Sequence, residues 1–196
     1  EDYATVNFAP LQSVFNCPQG ITATGSGFGT GCTGQFQGQI FWLDWSCGGT
    51  TSYPAGATIN KSWDAGDGLI ITGQVLNPTF GISAYNSGTW SGDMLHTLYT
   101  GLNPIGLRNS TDGEDPQFTM TLTATLNGVG VPLRYVMADA EDAGGAATAE
   151  SVQGTTNGSN WQLVEQSGSV SVINGGSNVT IYDPANTGGG TAIMET

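Results

Sequence analysis

Positive charge is what this sequence most lacks. Its 196 residues hold three Lys+Arg and one His against sixteen Asp+Glu, a formal net charge of -13. Affinity for nucleic acid comes from Lys and Arg clustered on phosphates, so that partner is excluded, and an anionic membrane surface would repel the chain. Cations, neutral glycans and basic proteins remain. No apolar run approaches the ~18–20 residues of a membrane span, so membrane insertion is not expected. Cysteine is scarce as well. Cys17, Cys32 and Cys47 are odd in number and evenly spaced, which in an oxidising compartment gives one disulfide and one free thiol, with the pairing open. None has a His or Cys neighbour at zinc-ligand spacing. The chain starts at Glu1-Asp2-Tyr3, without a Met or a signal-peptide core, and reads as a mature form or an excised domain.

What is present points to β-structure. Glycine is abundant at 31 residues, yet aromatics make up 9% and the apolar residues are periodic, which argues against disorder. Scarce Lys with many Thr, Ser, Asn and Gly is a composition common outside the cell. At this length the chain fits a single domain, residues 1–196, burying roughly 70% of its unfolded surface.

Phe118, Met120, Leu122, Ala124 and Leu126 alternate with Thr119, Thr121, Thr123 and Thr125. This is a strand with one apolar and one hydroxyl face. Asn127-Gly128 then marks a hairpin, because both residues tolerate the positive φ of a tight turn. The return strand is expected to keep alternating as far as Asp139, Glu141 and Asp142. Further strands are expected at 8–15, 39–45, 69–76, 81–85 and 160–166, with a last hairpin joining 169–173 to 178–182 around Asn174-Gly175-Gly176. One short helix is expected near residues 91–102, with Ser91 as cap and Met94, Leu95, Leu98 and Leu102 on one side. The final ten residues read as a frayed end or linker.

Asp139 and Glu141 share a strand face, roughly 6.5–7 Å apart along the chain. Such a pair could flank a glycosidic bond, ligate Ca²⁺ with loop carbonyls, be solvated, or face inward to hold one of the few arginines, the role favoured here. Sandwich glycosidases of the laminarinase type carry Glu-x-Asp-x-x-Glu, and Asp139-Ala-Glu141-Asp142 fails that spacing. Asp64-Ala-Gly-Asp67-Gly68 and Asp112-Gly-Glu114-Asp115 resemble calcium loops in composition only, and lack the twelve-residue spacing of an EF-hand. Arg134, mid-strand between Leu133 and Tyr135, would need a carboxylate partner if buried. The lone Lys61 beside Trp63 reads as a solvated loop residue rather than as half of a Lys–Asn cross-link. Most of the five tryptophans belong to a core. The segment from Tyr85 and Asn86 to Trp90 and Asp93 bunches binding-type residues on a loop entering the expected helix.

Trp42-Leu-Asp-Trp45, Pro54-Ala-Gly56, Gly88-Thr-Trp90-Ser-Gly-Asp93 followed by Leu98-Tyr99, and Met137-Ala-Asp139-Ala-Glu141 occur in this order. Over roughly residues 35 to 170 they resemble the ligand-binding non-repetitive domain of CshA-type bacterial surface adhesins. The resemblance implies a lectin-like, jelly-roll-like two-sheet antiparallel β-sandwich at the tip of a larger fibrillar protein on the bacterial cell surface. It implies a non-catalytic adhesin that binds a matrix protein such as fibronectin, or a glycan. It also implies that Trp90, Asp93, Asp139 and Glu141 belong to the family's pattern. The ligand-binding set expected on these grounds is Tyr85, Asn86, Trp90, Asp93, Asp139 and Glu141, with no catalytic residue and no cofactor, bound Ca²⁺ being a minor alternative. The alternatives are a secreted sandwich glycoside hydrolase or polysaccharide lyase using Asp139 and Glu141, and a purely structural fibril module.

Overall fold

A computed structural model describes residues 27–28, 35, 40–46, 49–86, 95, 105–111, 113–139, 151–182 and 190–196. They form fifteen strands: β1 Gly27–Phe28, β2 Phe41–Trp42, β3 Ser52–Tyr53, β4 Thr58–Asp64, β5 Leu69–Leu76, β6 Ile82–Asn86, β7 Ile105–Asn109, β8 Thr119–Leu126, β9 Val129–Val131, β10 Val136–Ala138, β11 Ser151–Thr155, β12 Gln162–Gly168, β13 Ser171–Asn174, β14 Asn178–Tyr182 and β15 Gly190–Glu195. The described residues are all-β, every pairing is antiparallel, and no sheet closes into a barrel. The helix expected at 91–102 lies outside the described residues, apart from Leu95, which is helical and buried.

Hydrogen bonding divides the strands into β4-β5-β8-β9, β3-β6-β7, β10-β15-β12, β11-β14-β13 and the ribbon β1-β2. Apolar packing then joins these sheets in layers, as a sandwich requires. Ile59, Trp63, Ile71, Val75 and Ala124 of the four-stranded sheet meet Tyr53 and Ile82 of β3 and β6, with Trp45 and Ala65 completing this core. A second core forms where Ala192 and Met194 of β15 meet Val179 and Ile181 of β14, together with Trp161 and Val170.

The main hairpin forms as its sequence dictates. Ala124 pairs with Val131 and Leu126 with Val129, while Asn127 (φ 50°) and Gly128 (φ 79°) make the turn. The return strand is shorter than expected. Pro132 has no N–H to donate, pairing stops at Val131, and the chain leaves this sheet to enter β10 beside β15.

The end of the chain also differs from expectation. Residues 190–195 form the central strand between β10 and β12 rather than a linker. Ala192 and Met194 face the second core, while Ile193 faces the opposite side with Trp42 and Leu95. Burial on both faces removes the polar alternation by which a strand is read.

Candidate ligand-binding site

The acidic end of β10 turns inward. Asp139 is 4% exposed, its amide donates to the Ala192 carbonyl at 3.3 Å, and its own carbonyl accepts the Thr191 hydroxyl. Across β15, the buried Glu165 carboxylate accepts the Gln35 amide at 3.2 Å on both oxygens. Arg134 lies at the surface, its side chain 80% exposed, and pairs with Glu195 at 3.1 Å. Arg108 is an exposed residue of β7 opposite Ser83. Tyr85 is buried in β6, paired with Gly106, and Asn86 ends that strand opposite Ile105. Trp90, Asp93, Glu141, Cys17, Cys32 and Cys47 lie outside the described residues. No cluster of His, Cys, Asp and Glu suited to a metal ion occurs among the described residues.

The segment Trp42 to Trp45 is a fastening between two cores. Trp42 packs with Leu95 and Ile193, whereas Trp45, three residues on, makes a T-shaped contact with Trp63 at a centroid distance of 5.0 Å and 77°. Between the two tryptophans, buried Asp44 accepts, on one carboxylate oxygen, the backbone N–H of Ser46 at 2.8 Å and the Ser46 hydroxyl at 2.5 Å. Its backbone carbonyl accepts the Trp63 indole N–H at 2.9 Å. The Tyr53 hydroxyl donates in reach of the Trp45 and Thr50 carbonyls, at 2.5 and 2.8 Å.

Lys61 is not a loop residue: it sits on β4 with its ammonium 5.5 Å from the centre of the Tyr53 ring. Burial lowers its pKa, against the opposing pull of Asp44. Burial and then Asp44 push the Tyr53 phenol up to about 12.

The solvent face of the four-stranded sheet has a different character. Alternation along β4, β5 and β8 sends Ile59, Lys61 and Trp63 towards the core and leaves a grid of side chains on the other side. In register, the grid reads Thr58-Leu76-Thr119, Asn60-Gln74-Thr121, Ser62-Thr72-Thr123 and Asp64-Ile70-Thr125. Nine of these twelve residues carry a hydroxyl or an amide, and Asp64 alone is charged. Gln74 donates its amide to Asn60 at 2.8 Å, and the Thr72 and Thr123 hydroxyls are 2.6 Å apart. A shallow groove of about 360 Å³ runs between the two middle rows. Its floor is the intervening row of Lys61 and Gly73, whose side-chain direction is towards the core.

Residues 38–196 match the family model described as surface adhesin CshA non-repetitive domain 2. The chain belongs to this family. The match runs through β15 to the last residue, so the buried final strand lies within the adhesin domain. Comparison with curated proteins and with solved structures gives no significant match.

Within this adhesin domain, the structure separates the residues singled out from sequence. Tyr85, on β6, and Asp139, just past the end of β10, are both buried and belong to different parts of the fold. The polar grid was visible in sequence only as the threonine face of β8. Its other half, on β4 and β5, depends on a pairing 51 residues long between Thr72 and Thr123, which local alternation does not reveal.

Proposed function

We propose that this adhesin domain captures an external ligand at the bacterial cell surface without chemically altering it, as one part of a larger surface protein. Membership of the adhesin family is the observation that carries this reading. The burial of Asp139 supports it: a catalytic carboxylate must reach its substrate within hydrogen-bonding distance, and this side chain is enclosed by the fold. In the same reading Tyr85 and Asp139 hold the scaffold, and contact is made by solvent-facing groups. The test is an array of extracellular matrix proteins and glycans probed with the whole chain, with retained ligands checked for new reducing ends. Capture of an unaltered ligand is the expected result. Released reducing ends that disappear in Glu141→Gln would establish the hydrolase reading instead, and an array with no capture would leave a structural module.

A further inference from the structure

We propose that the groove on the solvent face of β4, β5 and β8 binds a neutral, hydroxyl-rich glycan; this deepens the adhesin reading and rests on it. In a chain with a formal charge of -13, the two rows flanking the groove carry no charged group at all. Asn60 and Gln74 offer amide donors and acceptors, and Thr72, Thr121 and Thr123 offer hydroxyls that serve as either. That mixture matches the hydroxyls of an uncharged sugar, which also donate and accept. The rows give nothing to a phosphate or sulfate, which calls for cations, and the ammonium of Lys61 at the groove floor is held over the Tyr53 ring.

An extended peptide is disfavoured for a separate reason. A peptide lying in the groove cannot add there as a strand, because β5 beneath it is hydrogen-bonded to β4 on one side and β8 on the other, one edge of the sheet being the far side of β4. The groove rows carry no apolar side chain to anchor one either. At about 360 Å³ the groove is within the usual size range of small-ligand sites. The Gln74–Asn60 and Thr72–Thr123 hydrogen bonds orient four of its side chains before any ligand arrives, which reduces the ordering cost of binding. With no aromatic ring in the rows, the site lacks stacking and binds weakly per sugar.

The experiment titrates the isotopically labelled whole chain with cellohexaose, maltohexaose, mannohexaose and galactohexaose, and separately with fibronectin, following the backbone amide resonances. The expected result is saturable shifts with at least one hexaose, concentrated at Asn60–Ser62, Thr72–Gln74 and Thr121–Thr123. The double variant Gln74→Ala, Thr121→Val should weaken that binding at least tenfold with its melting temperature retained. A second variant, Thr72→Lys, tests the groove without relying on side-chain loss and should also weaken binding. Glycan shifts located elsewhere, or a double variant that binds as tightly as the parent, would overturn the inference. Binding to fibronectin with none to any hexaose would overturn it while leaving the adhesin reading intact; binding to neither would count against both.

Discussion

Trp63 donates its indole N–H to the Asp44 carbonyl at 2.9 Å while its ring packs in a T-shaped contact with that of Trp45. One fully buried side chain thus ties the Trp42–Trp45 segment to the four-stranded sheet by both a hydrogen bond and aromatic packing. Trp63→Ala should lose about 3–5 kcal/mol of stability, from lost burial and the cavity left behind. Trp63→Phe keeps most of the packing but strands the carbonyl, and should cost less. Denaturant unfolding of the two variants checks the order.

Gly73 lies directly beneath that ring. A β-carbon there would come within 2.9 Å of the Trp63 indole and 3.0 Å of Leu122. Gly73→Ala should therefore destabilise by about 1–3 kcal/mol, as overpacking of a filled core does. Gly130, on the outer side of the same sheet with open space around it, should tolerate Ala far better. The same unfolding measurement compares them.

Alkaline pH should unfold the domain through its tyrosines. Burial raises both Tyr53 and Tyr135 to about 12, above the ordinary value of 10.0. The unfolded chain releases these protons first, so the stability they confer is complete below pH 10 and is lost as pH rises to about 12. Lys61 acts oppositely: its lowered pKa makes the unfolded chain the stronger proton binder, so stability rises until pH passes about 10.5. The net loss should emerge above that point, with phenolate absorbance rising together with unfolding. Unchanged stability between pH 10 and 12 would contradict the raised pKa of these two phenols.

The final strand should prove indispensable and the neighbouring ion pair should not. Removing residues 190–196 takes the central strand from β10-β15-β12 and should prevent folding of the C-terminal layers, and Ile193→Ala alone should cost about 2–5 kcal/mol. Arg134→Ala should cost under about 1 kcal/mol, since Arg134 pairs with Glu195 in solvent. Circular dichroism and melting temperatures distinguish these outcomes.

Elements whose signals are local were legible before the structure. The strand 69–76, the Asn127-Gly128 turn and the hairpin joining β13 to β14 all rest on alternation or on residues suited to positive φ. Elements whose character depends on distant partners were not. β15 has no alternation because both its faces are covered, and the change of sheet after Pro132 becomes visible only once β10 is seen beside β15. Lys61 looked like a loop residue because a lone cation beside Trp63 gives no hint of the Tyr53 ring beneath it. The candidate groove was half legible, as the threonines of β8, and its amides came only with the register of β4 and β5.

The most direct test of the central claim is equilibrium capture by the whole chain, with each ligand's mass and reducing ends measured before and after binding. The account predicts reversible binding of a matrix protein or a glycan that is recovered unchanged. Cleavage of the recovered ligand, or no binding to any external ligand presented, would contradict it.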